Sequence, residues 1–372
     1  MATERAAASA EMSRSSFLRF GALSALGAGS VAAGVAGQVP PAAAAGSGPD
    51  FGAARVERLG RITGLEITGR FGAGFTDLGI TTLTPDGRIL ALFGDTWDKG
   101  VFSGDWRSPI GLYATRQEPM RGKLAWESAV GGDYARQLVP YTHGHEPALS
   151  TIFPIDVLTV GDTIYLWVML NHGFGKVGST EMWTSRDNGA TWKRHHLAPG
   201  DALGHRAQQG TMCLNPKDGF VYVLSKNFKG TGMILRRVRP EKLTDFSAYE
   251  SWGFANGKWA WGNPPSFVLT MKARHVNWRV IDGVWVLTMF LYDDPRIDML
   301  LLEDPLANMF EAPRRTILRN AAWDKQGDAL VTSLYGGHII PGSTRRELHL
   351  VASQWVKGKA YHSEQFRITD VF

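Results

Sequence analysis

Two aspartates stand where their spacing could do chemistry. Asp77 lies in Phe75-Thr76-Asp77-Leu78-Gly79 and Asp95 in Phe93-Gly94-Asp95-Thr96-Trp97. Between them, Thr81–Leu92 reads as two apolar runs around Pro85-Asp86-Gly87, the text of a β-hairpin. An antiparallel hairpin returns to its origin. Carboxyl groups placed before its first strand and after its second therefore meet at one end. Two neighbouring carboxyls are what glycoside cleavage requires, one as proton donor and the other as base or nucleophile. The competing reading makes both residues turn-capping aspartates, because Gly-Asp-Thr is also ordinary turn text.

Other side chains could support that chemistry. His143, His145 and Glu146 lie in Thr142-His143-Gly144-His145-Glu146. An H-x-H pair on extended chain points both rings one way, so the segment reads as a metal site, a substrate-contacting loop or a solvated loop. Glu146 is the best third carboxylate. Gln208, Gln209, His275, Asn277, Tyr335 and His338 stand at the starts of later apolar runs, where neutral groups suit hydroxyl recognition. Trp97, Trp106 and Trp278 offer flat faces for sugar rings. Arg107, in Trp106-Arg107-Ser108-Pro109, reads either as a partner that keeps Asp95 ionised or as a structural latch. Nucleophilic alternatives are poor: no G-x-S-x-G elbow occurs, and Cys213 in Met212-Cys213-Leu214 reads as an inert buried thiol. No Cys/His spacing resembles a zinc site and no phosphate-cradling loop is present, so neither a metal nor a cofactor is expected.

The elements that must position these residues repeat. The hairpin pattern of Thr81–Leu92 recurs at Val157–Leu170, Met212–Leu224, Val276–Leu291 and Leu330–Val351. Outer strands are expected at Ile110–Thr115, Glu181–Ser185, Met233–Val238 and Met299–Leu302, and a short helical turn at Pro240–Phe246. The runs are short and rich in Val, Ile, Tyr, Trp and Thr, which favours strands over helices. Five such units predict an all-β chain folded as a five-bladed β-propeller; a two-sheet sandwich with an appendage is the alternative. Ser185-Arg186-Asp187-Asn188-Gly189-Ala190-Thr191-Trp192 matches the Asp-box, S-x-D-x-G-x-T-W, here in the second blade. In that motif the aspartate binds the backbone of its own turn and glycine takes a positive φ, so Asp187 is expected to be structural.

Composition agrees. The 372 residues include 43 Gly, 13 Trp and one Cys, with 44% apolar and 20% charged residues. That is enough apolar matter for a sizeable core and too little charge for a coiled coil. Most of the tryptophans are expected to pack between blades. The net charge of +5, without a Lys/Arg run, gives no reason to expect nucleic acid as a partner. Residues 1–50 hold no Trp, Tyr or Lys. Arg5, Arg14 and Arg19 precede an Ala/Gly/Leu/Val stretch, then Pro40-Pro41 and an Ala run at 42–45, the three-part form of an export signal. Ser13-Arg14-Ser15-Ser16-Phe17-Leu18-Arg19 resembles a twin-arginine signal with Ser15 in the second arginine's place. The expected organisation is a signal peptide at 1–45, a linker at 46–60 and the propeller at 61–372. The mature protein is expected in the medium or cell envelope, monomeric and not inserted in a membrane.

A family resemblance sharpens this. Thr76-Asp77-Leu78-Gly79, Leu92-Phe93-Gly94-Asp95-Thr96-Trp97 and Trp106-Arg107-Ser108-Pro109 resemble the opening of a family of exported actinobacterial propellers. Ile152-Phe153-Pro154, Tyr335-Gly336 and Ser353-Gln354-Trp355 continue the likeness, which covers most of residues 60–370. That family, long labelled a domain of unknown function, includes endo-D-arabinanases that cut mycobacterial-type arabinan. The resemblance implies a five-bladed propeller whose catalytic pair falls on Asp77 and Asp95 and whose partner is a polysaccharide. Thr142–Glu146 does not match the family pattern. The alternatives are a non-catalytic carbohydrate-binding propeller and, on the Asp-box alone, a sialidase-like glycosidase.

Overall fold

The computed structural model describes residues 48–372, and among them helix is confined to Leu65–Thr68 and short 3-10 turns. Two of those turns, Pro240–Lys242 and Phe246–Ala248, fall in and just beyond the helical turn expected at Pro240–Phe246. The expected signal peptide lies outside the described residues.

The strands form five sheets. From axis to rim, blade one is Leu78–Leu83, Ile89–Phe93, Ile110–Ala114 and Trp126–Ala129. Blade two is Thr151–Val160, Thr163–Asn171, Val177–Ser185 and Lys193–Pro199. Blade three is Gln209–Leu214, Val221–Lys226 and Met233–Val238, extended by a Trp-rich hairpin, Glu250–Ala255 and Lys258–Trp261, and an added edge at Phe267–Leu269. Blade four is Ala273–Ile281, Val284–Leu291, Arg296–Leu302, Arg314–Asn320 and Leu330–Val331. Blade five is Leu334–Ile339, Glu347–Val356 and Ala360–Thr369, completed by Arg55–Arg61 from the other end of the chain. The five innermost strands pack in sequence around a closed ring, the last against the first. The chain is thus the expected five-bladed β-propeller.

Ring closure follows from where the apolar residues go. The two middle strands of blade one, Ile89–Phe93 and Ile110–Ala114, are buried at every position, because both faces of the sheet are covered. The buried residues fall into five clusters, each shared by two consecutive blades. No blade owns a core, so each needs both neighbours. Trp167, Trp183, Trp278 and Trp285 are among the largest fully buried side chains, as expected of inter-blade packing. Trp278 is therefore no platform for a sugar. Closure also corrects the expected linker at 46–60. Residues 55–60 belong to a strand paired antiparallel with Ala360–Thr369, so the folded unit starts before residue 61. Its text, RVERLGR, is charged and only partly buried, as suits an outermost strand, and it lacks the apolar run that marks the inner ones.

Polar bonds stitch the inner strands. Asp156, fully buried in blade two, accepts from Thr211 Oγ1 and Met212 N of blade three and from Arg279 Nη2 of blade four, each at 2.7 Å. Asn277 Nδ2 also donates to it, at 3.3 Å, while Asn277 Oδ1 accepts from Ile339 N of blade five at 3.0 Å. Asn277 is thus a staple between blades rather than a substrate-binding group.

The Asp-box occupies the turn between the two outer strands of blade two. Asp187 Oδ1 accepts from Ser185 Oγ (2.7 Å) and Thr191 N (2.9 Å), and Oδ2 accepts from Thr191 Oγ1 (2.5 Å). Gly189 takes φ +91°, and Trp192 Nε1 donates back to Gly189 O at 2.9 Å. Every bond of Asp187 is local to this turn. Asp187→Ala is expected to cost about 1–2 kcal/mol of stability and to leave activity per folded molecule unchanged. Thermal melting beside a specific-activity measurement checks this; full stability with lost activity would contradict it.

Candidate active site

The two loops that leave and re-enter blade one are paired before the first strand begins. Phe75 pairs with Trp97 through both backbone bonds, and the Thr76 and Thr96 hydroxyls meet at 2.6 Å. In this register Asp77 stands opposite Asp95, and alternation sends both side chains away from the threonine pair. The pairing then slips by one residue at Leu78–Ile80, with Leu78 at φ +67°. A bulge of this kind re-aims the side chains beside it. Gly94 completes the fit: a Cβ there would lie 2.5 Å from Asp77 Oδ1. The Gly-Asp of the sequence motif thus pairs one carboxylate with the space for the other. Gly94→Ala is expected to keep the fold and lower kcat at least about tenfold by displacing Asp77, since small misplacements of reacting groups are costly. Steady-state kinetics beside a melting curve checks it.

The two carboxyls sit in different surroundings. Asp77 is 8% exposed; its Oδ2 accepts from the Tyr335 hydroxyl at 2.9 Å, and its Oδ1 has no partner. Burial first, then the charge of Asp95, push its pKa up to about 7, while Tyr335 and Tyr361 oppose the rise. Asp95 is less enclosed, and its Oδ1 accepts from Trp106 Nε1 and Thr151 Oγ1, each at 2.9 Å. Burial raises its pKa too, against those two donors and the nearby His143 ring. The Tyr361 hydroxyl donates to the Asp95 carbonyl at 3.0 Å and is near enough to the Asp77 carboxyl to influence its charge.

His143 lies behind Asp95. Its ring stacks on Trp106 with centroids 3.9 Å apart. Nδ1 faces Ser150 O and Nε2 faces Gln137 Oε1, both at 2.9 Å. The Gln137 amide nitrogen donates to Val139 O and Tyr141 O, which fixes Oε1 as the atom facing the histidine. Both ring nitrogens thus meet acceptors, and only the doubly protonated imidazolium can donate to both. Burial pulls its pKa down, opposed by the Ser150 carbonyl and the Asp95 charge.

Several expected contacts are elsewhere. Arg107 is buried away from the pair; it donates to Ala135 O and Gly72 O, pairs with Asp105 and lies over the Tyr134 ring. It is a latch, and the ring that faces Asp95 is that of His143. Trp97 is 2% exposed and packed among Trp106, Phe102 and Tyr361, so it offers no sugar platform. Trp106 has one ring neighbour on Trp97 and another on His143, which leaves it the task of holding Asp95. Gln208 staples its own loop through Gly200 O and Phe228 N. Glu146 is exposed and ion-paired with Lys176, and His145 is exposed beside it. Among the described residues no His/Cys/Asp/Glu group could hold a metal ion. Tyr335, expected to recognise substrate hydroxyls, stands beside the pair and donates to Asp77. His338 is buried, its ring 6.1 Å from that of His275, with both nitrogens unbonded. Burial pushes the Cys213 thiol up to about 12, as an inert thiol requires.

Comparison with known proteins gives the same architecture. The model of a family described as Domain of unknown function (DUF4185) matches residues 64–367. An uncharacterized 35.9 kDa protein in the asd 3' region of Mycolicibacterium smegmatis is 26% identical over 312 residues, covering 77% of this chain and 89% of that one. Notoamide biosynthesis cluster protein J' of Aspergillus versicolor is 28% identical over 314 residues, 77% of this chain and 82% of its own. In fold the chain is similar to a GH43_1 enzyme from Xanthomonas citri, with a TM-score of 0.50, 13% identity and coverage of 79% and 87%. At that identity the likeness is one of fold, and activity has to be argued from the site.

Proposed function

We propose that this chain, which belongs to the DUF4185 family, is an exported glycoside hydrolase that cuts internal arabinofuranosyl linkages in cell-envelope D-arabinan. The observation that carries the reading is the carboxyl pair beside the start of blade one's innermost strand, with Asp77 Oδ1 unpartnered and Asp95 Oδ1 accepting two hydrogen bonds. Asp77, enclosed and pushed up to about 7, is the proton donor to the departing sugar oxygen. Asp95 is the ionised partner, because its Oδ1 is already an acceptor twice over and His143 faces it. It serves as nucleophile or as base for a water. The shared fold with the GH43_1 enzyme is compatible with this reading, and the reaction class itself is argued from the carboxyl pair. The arabinan preference and the export rest on the sequence features given above.

The test is incubation of the purified protein with arabinogalactan, with chromatography of the supernatant. Released arabino-oligosaccharides of mixed length are the expected result. Binding without release would instead make the protein a carbohydrate-binding propeller, and release of monosaccharide alone would make it exo-acting.

A further inference from the structure

Beside the carboxyl pair, on the side of blade five, the surface opens into a cavity of about 720 Å³. Its walls are the turn around Lys357–Lys359, the helical turn Leu65–Thr68 and the loop at Val101-Phe102. Tyr361 lines it, and the Tyr361 hydroxyl donates to the Asp95 carbonyl at 3.0 Å. The cavity thus approaches the pair at Tyr361 and at Phe75, two residues before Asp77, while Asp77 and Asp95 themselves stand outside its lining. Its volume lies within the roughly 300–1,000 Å³ of sites that enclose small ligands, more than one sugar ring needs.

The lining suits a sugar chain. Phe75, Phe102 and Trp355 supply rings, and the exposed Lys357 and Lys359 stand at the rim as donors. Rings with a few polar groups around them match hydroxylated ligands that also present C–H faces. Phe102 is held there at a cost. It sits at φ +64°, a left-handed conformation that bulky residues avoid, with its ring edge-on to Trp97 at 5.2 Å. Such outliers gather at ligand sites.

We propose that this cavity is a subsite for the substrate polymer itself, holding further sugar units on one side of the bond cut at Asp77 and Asp95. The proposal rests on the glycosidase reading and adds to it that the enzyme gains from chain length, with Trp355 as the main platform.

The experiment compares D-arabinose di- and tetrasaccharides of one linkage. For the wild-type protein, kcat/KM is expected to rise at least about tenfold from the shorter to the longer, the factor worth 1.4 kcal/mol. Trp355→Ala is expected to remove most of that gain through KM while leaving the disaccharide within about twofold. Lys357→Ala, at an exposed turn position that cannot threaten the fold, is expected to weaken the tetrasaccharide alone. Equal kcat/KM for the two lengths in the wild-type protein would overturn the subsite while leaving the glycosidase reading intact. If the wild-type protein cleaves neither, the glycosidase reading fails and the subsite is judged by calorimetric titration with the tetrasaccharide. Binding weakened by Trp355→Ala then upholds it, and absence of binding overturns it.

Discussion

Asp77→Asn and Asp95→Asn proteins should fold and lose arabinan cleavage. Each change keeps the shape of the side chain, and neither residue is part of an inter-blade cluster. Loss of proton transfer alone costs roughly 10²–10⁴-fold, and loss of a nucleophile costs more. Both variants are therefore expected to fall at least about a hundredfold on arabinogalactan, with Asp95→Asn the lower. The two roles separate on an aryl arabinofuranoside whose leaving group is a weak base. Such a group departs without a proton, so Asp77→Asn should recover much of its rate there and Asp95→Asn should not. The measurement is initial rates of both variants on both substrates. Near-normal turnover by both proteins on arabinan would end the reading of this pair as catalytic.

What could be read from the sequence was what depends on local pairing. A hairpin must return, so the meeting of Asp77 with Asp95 followed from their places at its two ends. The Asp-box text dictated its own turn, and five repeats of one hairpin dictated five blades. What could not be read was what other blades bring in. Tyr361 comes from the third strand of blade five, in Ala360-Tyr361-His362, and nothing in that text points towards blade one. His143 was visible as one of three readings of Thr142–Glu146, but its partners Gln137 and Ser150 are ordinary loop residues. Arg107 stood open between partner and latch, and the text could not choose, because a residue next to Trp106 in the chain points the opposite way from it. Gln208 and Asn277 were judged by strand position and chemistry, yet polar groups at strand starts also close loops and join blades. Burial, which decides between those roles, is a property of the packed ring. A clear signal was present at Gly94: a glycine before the second aspartate, in a position that does not need positive φ, marks a close approach.

Asp77 should also make the protein less stable as pH rises, and its replacement should reverse this. The buried carboxyl titrates near 7 in the folded protein and near its ordinary value of 3.8 when the chain unfolds. Between those values the folded state holds a proton that the unfolded state has released. Stability falls wherever the folded state binds more protons and pH increases, so the loss accumulates from about pH 4 to about pH 7 and is complete above that. Each tenfold change in acid strength is worth about 1.4 kcal/mol, so the full effect is on the order of 4 kcal/mol. Asparagine does not titrate. Asp77→Asn is therefore expected to match the wild-type protein near pH 3.5 and to exceed it by a few kcal/mol at pH 8, measured by urea unfolding at both values. Groups common to both proteins cancel in that difference. The same proton sets the alkaline limb of catalysis: kcat/KM should fall as pH rises through about 7, because the donor is then spent before substrate arrives. Tyr335→Phe removes a donor that favours the carboxylate, so it should move that limb to higher pH. Equal stability of Asp77→Asn and wild type at pH 8 would mean that the carboxyl is ionised without cost. A proton donor at neutral pH would then have to be sought among the other residues around the pair.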